Sequence, residues 1–296
     1  MTAIDKGIDR SRVGLSKSLM SSPCERKSAY GEWVRDEKGA RLDFPMPERV
    51  LFGSAVDEAV TFILYHELND SIYAPSAAVK AGIEAVTRKK GWELIEDRAT
   101  FRVQVENAVD LYLRPHEAQD PENPRGRIMA DDGLARVLAL SAENIRLQGD
   151  NGRTLRAEPD LIGTPDIITD RRVVDVKTSG KRYSVAKFRQ SPEMPVYTEL
   201  YAAEFGVLPE FLAYQVYVRV TKPYWQWIEV PASSRHIELS RLHAARWRKG
   251  LATKDIDLFA FDAQMCAECP FANPIPEVAF EGCPVGLLVN EEAQAA

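Results

Sequence analysis

The sequence predicts a mixed α/β fold: a central mixed β-sheet flanked by helices, with a helical N-terminal region and a cysteine-rich C-terminal segment. Three observations lead there. Apolar residues recur at helical spacing over residues 51–66, LFGSAVDEAVTFILYH. Short runs rich in Ile and Val, LIGTPDIIT at 161–169 and RVVDVKT at 172–178, then read as strands. The element order is helices, a strand cluster with one helix inserted, two more strands and a last helix, which suits one sheet with helical cover.

Taken in order, residues 1–20 are polar and read as a flexible arm. Helices follow at 51–66, 75–93 and 97–113, and the proline- and charge-bearing stretch 116–127 is a loop. ARVLAL at 135–140 and residues 153–156 suggest short strands, with a turn at Gly149–Gly152. The two Ile/Val runs are separated by the turn-like Asp170–Arg171. In the second run Val174 and Val176 fall on one face and Asp175 and Lys177 on the other. A helix over 184–205 is broken or kinked near its start by Pro192 and Pro195. Strands at 211–220 and 224–230 precede a helix over 233–250, with Ser233 or Ser234 as N-cap. The expected organisation is one domain over 21–285, comprising a helical part (21–130), a core (131–250) and a cysteine segment (251–285), then a tail over 286–296.

The chain has 296 residues, 45% hydrophobic and 28% charged, enough for a substantial core. No run approaches the roughly 18 apolar residues of a membrane span, and the polar N-terminus has no signal-peptide h-region. A cytoplasmic protein, bacterial or phage-encoded, is the expectation. The net charge of −6 argues against a general nucleic-acid coat. It leaves room for a local basic track, and two basic stretches exist: Lys177, Lys181, Arg182, Lys187 and Arg189, then Arg241, Arg246, Arg248 and Lys249. The first directly follows the acid–lysine strand and suits phosphate contacts; the second reads equally well as a solvated helix face.

From residue 165 the chain reads Pro-Asp, eight residues, then Asp-Val-Lys. Phosphodiester hydrolysis needs a divalent cation held by hard oxygens, an activated water and a positive group where charge develops. Adjacent antiparallel strands bring Asp166 and Asp175 within reach of one cation. Period-two geometry puts Lys177 beside Asp175, while Val176 points away and has a backbone carbonyl to offer.

Residues 163–179, GTPDIITDRRVVDVKTS, resemble motifs II and III of the RecB-type branch of the PD-(D/E)xK nucleases. The resemblance implies a restriction-endonuclease-like core, metal binding by Asp166 and Asp175, and a catalytic Lys177. The branch's first motif is Gly-x-x-x-His; here Gly53-Ser-Ala-Val-Asp57 places Asp57 where the family has its metal-ligating His, with Glu58 as a neighbouring substitute. A carboxylate there favours Mg²⁺ or Mn²⁺ over softer metals. The fourth motif, Gln-x-x-x-Tyr, is matched by Glu193-Met-Pro-Val-Tyr197, with Gln190 nearby as an alternative to the missing Gln.

Cys266, Cys269 and Cys283 cluster near the C-terminus, and Cys24 lies far upstream. Four thiolates can close a Zn²⁺ site or hold a [4Fe–4S] cluster, and spacing does not choose between them. One Cys before the first motif and three after the core resemble the iron–sulfur subgroup of this branch, which includes the CRISPR-associated exonuclease family, AddB-type nuclease domains and phage relatives. SKSLMSSPCERKSAYGEW at 16–33 resembles that subgroup's N-terminal pattern. The resemblance therefore implies a [4Fe–4S] cluster with a structural job. It also implies a DNA exonuclease acting on single strands or ends, with recombination or CRISPR proteins as partners. Two other readings are a catalytically weak DNA-end-binding accessory and a zinc-stapled protein whose acids are incidental.

The histidines His66, His116, His236 and His243 form no metal pair and read as structural. No phosphate-binding loop of the Gly-x-x-x-x-Gly-Lys-Ser/Thr kind is present, so no motor is encoded. Tyr224, Trp225 and Trp227 read as sheet packing before base stacking.

Overall fold

The computed structural model describes residues 15–114 apart from positions 23, 43, 69, 70 and 90, then residues 146–147, 155–157, 161–163, 165–168 and 171–287. The expected loop at 116–127, strand at 135–140, turn at Gly149–Gly152, and the tail from residue 288 lie outside the described residues, as do residues 1–14 of the expected arm.

Leu15–Ser16 forms a short strand, β1, and Lys17–Met20 one helical turn, α1. The Ser16 hydroxyl caps that turn by accepting from the Leu19 N–H at 3.1 Å. Leu15 and Met20 are buried, so residues 15–20 belong to the packed structure rather than to an arm. Helix α2 spans Glu25–Trp33 and α3 spans Glu48–Leu68. Along α3 the buried residues Leu51, Phe52, Ala55, Val56, Ala59, Val60 and Ile63 follow the helical period. Helix α4 (Pro75–Arg88) opens on proline at its first turn. It ends short of the expected residue 93, because Gly91 starts a 3₁₀ turn over Trp92–Leu94. Helix α5 (Arg98–Leu113) is capped by Asp97, whose carboxylate accepts from the Thr100 N–H at 3.0 Å.

Strands β2 (Arg146–Leu147), β3 (Leu155–Ala157), β4 (Leu161–Gly163), β5 (Ile167–Ile168) and β6 (Arg172–Ser179) follow. The helix expected over 184–205 is two helices, α6 (Val185–Arg189) and α7 (Glu193–Phe205), interrupted at Ser191–Pro192 as the prolines required. Helix α7 stops at Gly206, which adopts a φ of 72° that a side chain would disfavour. Strands β7 (Phe211–Val218) and β8 (Tyr224–Pro231) lead into helix α8 (Ser234–Thr253). Ser233 is the N-cap, and its N–H donates to His236 Nδ1 at 3.1 Å.

The main sheet is mixed and has the order β2-β5-β6-β7-β8. Strands β6 and β7 run parallel, as the intervening α6–α7 crossover demands, and the other pairs are antiparallel. Val174, Val176, Ala213 and Trp225 pack against α3, α4 and α5 on one face. Val173, Leu212, Tyr214, Val216 and Ile228 pack against α7 and α8 on the other. Burial of each such aliphatic side chain contributes roughly 1.5–3 kcal/mol. Trp225 and Trp227 belong to the first core, and the Trp225 indole N–H donates to the Ala108 carbonyl at 3.2 Å, so sheet packing is their role.

A second sheet, β1-β4-β3, pairs β1 with β4 in parallel and packs on α7. After α8 the chain runs through short 3₁₀ turns, and Phe271 and Cys283 pack with Tyr30 of α2. Among the described residues no helix is long and apolar enough to cross a membrane.

Candidate active site

Strand β5 pairs with β6 through Ile167↔Val174 and Ile168↔Val173. That register sets Asp166, just before β5, opposite the middle of β6. Its Oδ2 accepts a 2.6 Å hydrogen bond from the Val176 N–H, so Asp166 is held by backbone and is buried. Asp175 projects from the opposite face to Val174 and Val176, and Tyr197 of α7 donates its hydroxyl to Asp175 Oδ1 at 2.8 Å. Lys177, two residues on, ion-pairs with Asp175 Oδ2. The alternation read from RVVDVKT is therefore the alternation that builds the site.

Four further side chains complete the cluster. Lys17 Nζ lies 3.4 Å from Asp175 Oδ1 and 3.4 Å from Glu193 Oε1, over the Tyr197 ring. Glu193 accepts from Lys177 Nζ at 3.1 Å and, through Oε2, from the Tyr214 hydroxyl at 2.7 Å. Ser191 and Tyr214 share a 2.7 Å hydrogen bond. Tyr214 reaches the site because the parallel β6–β7 register sets it opposite Asp175. Two glycines make room. A Cβ on Gly163 would lie 2.8 Å from Leu200 Cδ1 and 3.1 Å from Lys17 Cβ, so glycine lets α1 approach. A Cβ on Gly53 would lie 3.2 Å from Thr178 Oγ1, where α3 crosses β6 one turn before Asp57.

Electrostatics ties Asp57 into the same cluster. Burial first, and then the charge of Asp175, pushes Asp57 up to about 7. Burial, then Asp175 and Asp57, raises Asp166 well above the usual carboxylate range. Burial would raise Asp175 too, but Lys17 and Lys177, with the Tyr197 hydroxyl, reverse this and hold it down to about 2. Both lysines are raised against the cost of burial, chiefly by Asp175 and then Glu193. Of the expected residues, Asp57, Asp166, Asp175, Lys177 and Tyr197 are thus brought together. Glu58 turns away to Arg88, 2.9 Å distant. Gln190 is exposed at the end of α6 and lines the neighbouring cleft. Lys17 and Tyr214 were not anticipated.

As placed, no group of three or more His, Cys, Asp or Glu side chains among the described residues stands in metal-holding geometry. The two ammonium groups instead neutralise Asp175. The donor set nonetheless suits a hard cation. Asp57, Asp166 and Asp175 are oxygen donors whose mutual repulsion raises two of them, and a divalent ion relieves such repulsion.

The four cysteines are free thiols. Cys24 precedes α2, Cys266 lies within the 3₁₀ turn Ala263–Glu268 and Cys269 caps it, and Cys283 follows Gly282. Burial, then the charges of Cys283, Cys24 and Cys269, raises the Cys266 thiol. Burial, with smaller contributions from Cys24 and Cys283, raises Cys269. Burial and the neighbouring Cys283 push the Tyr30 hydroxyl up to about 12. The fold thus brings Cys24 into the neighbourhood of the three C-terminal cysteines, from which it lies far away in sequence. Of the histidines, His243 has a structural contact set, its Nε2 2.9 Å from Glu25 Oε1 and 2.9 Å from the Trp247 indole nitrogen, while His116 lies outside the described residues.

No protein-family model matches the chain. No curated protein sequence matches it either. The structure is similar to that of a "Putative exonuclease" from Eubacterium rectale, with a TM-score of 0.53 and 13% identity over 93% of this chain and 94% of that one. It also aligns with SSO0001 at a TM-score of 0.29 and 14% identity, over 74% of this chain and 96% of that one. The first likeness agrees with the mixed α/β fold.

Proposed function

We propose that this protein is a divalent-metal-dependent deoxyribonuclease that hydrolyses phosphodiester bonds in single strands or at DNA ends. The observation that carries the reading is the convergence of Asp57, Asp166 and Asp175 with Lys177 and Tyr197 in one buried cluster. The name of the Eubacterium rectale protein supports the nuclease class. The carboxylates of Asp57, Asp166 and Asp175 and the Val176 carbonyl would hold Mg²⁺ or Mn²⁺. Such an ion supplies Lewis-acid polarisation of the phosphate and a nucleophile at neutral pH.

The remaining roles belong to the chain's own groups. Lys177 presents its ammonium where charge develops on the phosphoryl oxygens. Glu193, held by Tyr214, fixes the direction of Lys177. Tyr197 donates to Asp175 and keeps one carboxylate oxygen oriented. Lys17 offsets the negative charge of Asp175 and Glu193 from the opposite side. We also propose that the four cysteines hold a [4Fe–4S] cluster, with Zn²⁺ as the alternative occupant, joining the start of α2 to the C-terminal turns.

The test is incubation of anaerobically purified protein with end-labelled single-stranded DNA and Mn²⁺, with Lys177→Ala in parallel. Cleavage by the wild type and none by the variant is the expected result. A fully active Lys177→Ala protein would sink the mechanism. Binding of DNA ends with no turnover in any divalent metal would favour the accessory reading, which the double neutralisation of Asp175 by Lys17 and Lys177 also suits.

A further inference from the structure

A cleft of about 860 Å³ opens beside the cluster, and two otherwise separate groups of residues line it. The first group is Lys177, Glu193 and Tyr214, already described. The second comes from α6 and α8: Lys187, Arg189, Leu239, Leu242 and Arg246. Each of the two basic stretches picked out in the sequence sends residues into this one cleft, although some 50 residues of chain separate them.

Charge in the cleft runs against the charge of the whole chain. Its lining holds Lys177, Lys187, Arg189 and Arg246 against two carboxylates, Glu25 and Glu193, whereas the chain carries a net −6. Both carboxylates are committed: Glu25 pairs with Arg246, and Glu193 with Lys177. Lys187 and Arg189 are exposed, and no ion pair to either is seen among the described residues. Lys187 lies over the ring of Tyr183, another residue lining the cleft, at 4.4 Å. The same cleft is lined from α8 by Leu239 and Leu242, one turn apart and 46% and 70% exposed. Being neighbours on one helix face, the two leucines form a small paired apolar patch beside the basic residues of the cleft.

We propose that this cleft is the track along which a single nucleic-acid strand reaches Asp175 and Lys177. Its phosphates meet Lys187 and Arg189, and its unstacked bases lie on the Leu239–Leu242 shelf. Paired cations with an apolar shelf match a flexible strand whose bases are free, since a duplex buries its bases and offers no face to the leucines. The assignment of nucleic acid as occupant rests on the reading above; the location and mode of binding rest on the cleft.

The test measures binding without catalysis. Anisotropy of a short fluorescein-labelled single-stranded oligonucleotide is titrated in EDTA with the wild-type chain. The same titration is run with Lys187→Glu/Arg189→Glu, with Leu242→Asp, and with Lys222→Glu, a control on the exposed β7–β8 turn. The wild type and the control bind alike. The double variant binds more weakly by at least roughly tenfold, and its log–log salt slope is shallower by about 1.4, the value for two lost phosphate contacts. Leu242→Asp weakens binding with a smaller change in slope. Equal binding by the double variant, absence of binding by the wild type, or a duplex of the same length bound as tightly with the same losses would each overturn the proposal. Because no metal is present, the two readings separate. Track-dependent binding without cleavage in any divalent metal removes the nuclease reading and leaves the track. Cleavage of the oligonucleotide that is indifferent to Lys187→Glu/Arg189→Glu does the reverse.

Discussion

Lys17 Nζ stands 3.4 Å from Asp175 Oδ1, although 158 residues separate the two in sequence. The contact depends on β1 pairing in parallel with β4, Leu15↔Leu161 and Ser16↔Ile162, which seats α1 beside the glycine of the GTPD run. Lys17 is therefore part of the cluster's charge balance rather than a surface residue. Lys17→Ala leaves Asp175 and Glu193 with one ammonium in place of two, and the expected cost is about 1–3 kcal/mol of folding free energy. Lys17→Arg recovers part of it. Urea denaturation of the three proteins checks this; equal midpoints for wild type and Lys17→Ala would show the contact to be idle.

Asp57 makes stability depend on pH with a particular sign. Its folded value, about 7, lies above the roughly 3.9 of an unfolded aspartate. Between those two values the folded chain holds a proton that the unfolded chain has lost, so stability falls as pH rises through this window. Asp57→Asn keeps the shape of the protonated acid and removes the titration. In EDTA, the folding stability of Asp57→Asn, read from urea denaturation, should gain on the wild type as pH rises from about 4 to 7, by an amount on the order of a few kcal/mol. The same variant should lose activity at every pH, since an amide is a poor substitute for a ligating carboxylate. Parallel stability curves for the two proteins would remove Asp57 from the buried carboxylate cluster.

Much of this site was legible because its core is local. Asp166 immediately precedes β5 and Asp175 and Lys177 lie on its neighbour β6, so period two and the antiparallel register fix their relation. Asp57 and Tyr197 were legible from the Gly53 and Glu193 patterns, each set by one helix. Lys17 was not, because β1 is two residues long and carries no periodic signal; only its partner 146 positions on defines it. Tyr214 sits in a run of aromatic and aliphatic residues that reads as plain core, and only the parallel register across the α6–α7 crossover sets it opposite Asp175. Gln190 was read as the alternative to the missing Gln of the fourth motif. The break at Ser191–Pro192 instead ends α6 at that point and leaves the residue at the exposed C-cap, while Glu193 begins the helix that carries Tyr197 inward.

Glu25 tests how firmly α2 is fastened to the rest. Its carboxylate accepts from the Ala260 N–H at 2.7 Å, meets His243 Nε2 at 2.9 Å and pairs with Arg246. Burial opposes these contacts, yet the His243 and Ala260 hydrogen bonds and Arg246 hold its pKa below the usual glutamate value. A carboxyl group with a depressed folded value stabilises the protein above the unfolded pKa of about 4.3, and that stability is lost as pH falls through the folded value. Glu25→Ala should cost about 2 kcal/mol at neutral pH, lowering the melting temperature by roughly 4–8 °C. Glu25→Gln should cost less, since its amide oxygen still accepts from Ala260. The gap between wild type and Glu25→Ala should close on acidification, and a gap constant with pH would contradict the ionic account.

The cysteine neighbourhood makes the last prediction, and Glu25 sharpens it. Cys24 immediately precedes Glu25, so whatever holds Cys24 also positions the carboxylate that anchors α8 and the Ala260 backbone. A metal centre shared by Cys24, Cys266, Cys269 and Cys283 would close a loop of some 240 residues, and such a closure is worth several kcal/mol on the loop-entropy argument. Cys24→Ala should therefore lose bound iron or zinc and fall in stability by more than the roughly 1 kcal/mol expected for truncating a small buried side chain. Cys24→Ser in protein stripped of metal should be nearly silent, because without a shared ion the thiol is only a small buried group. Metal analysis and thermal unfolding of both variants, before and after chelation, read the two effects separately. Wild-type protein that binds neither iron nor zinc, and that melts at the same temperature with or without chelator, would reduce the four cysteines to packing.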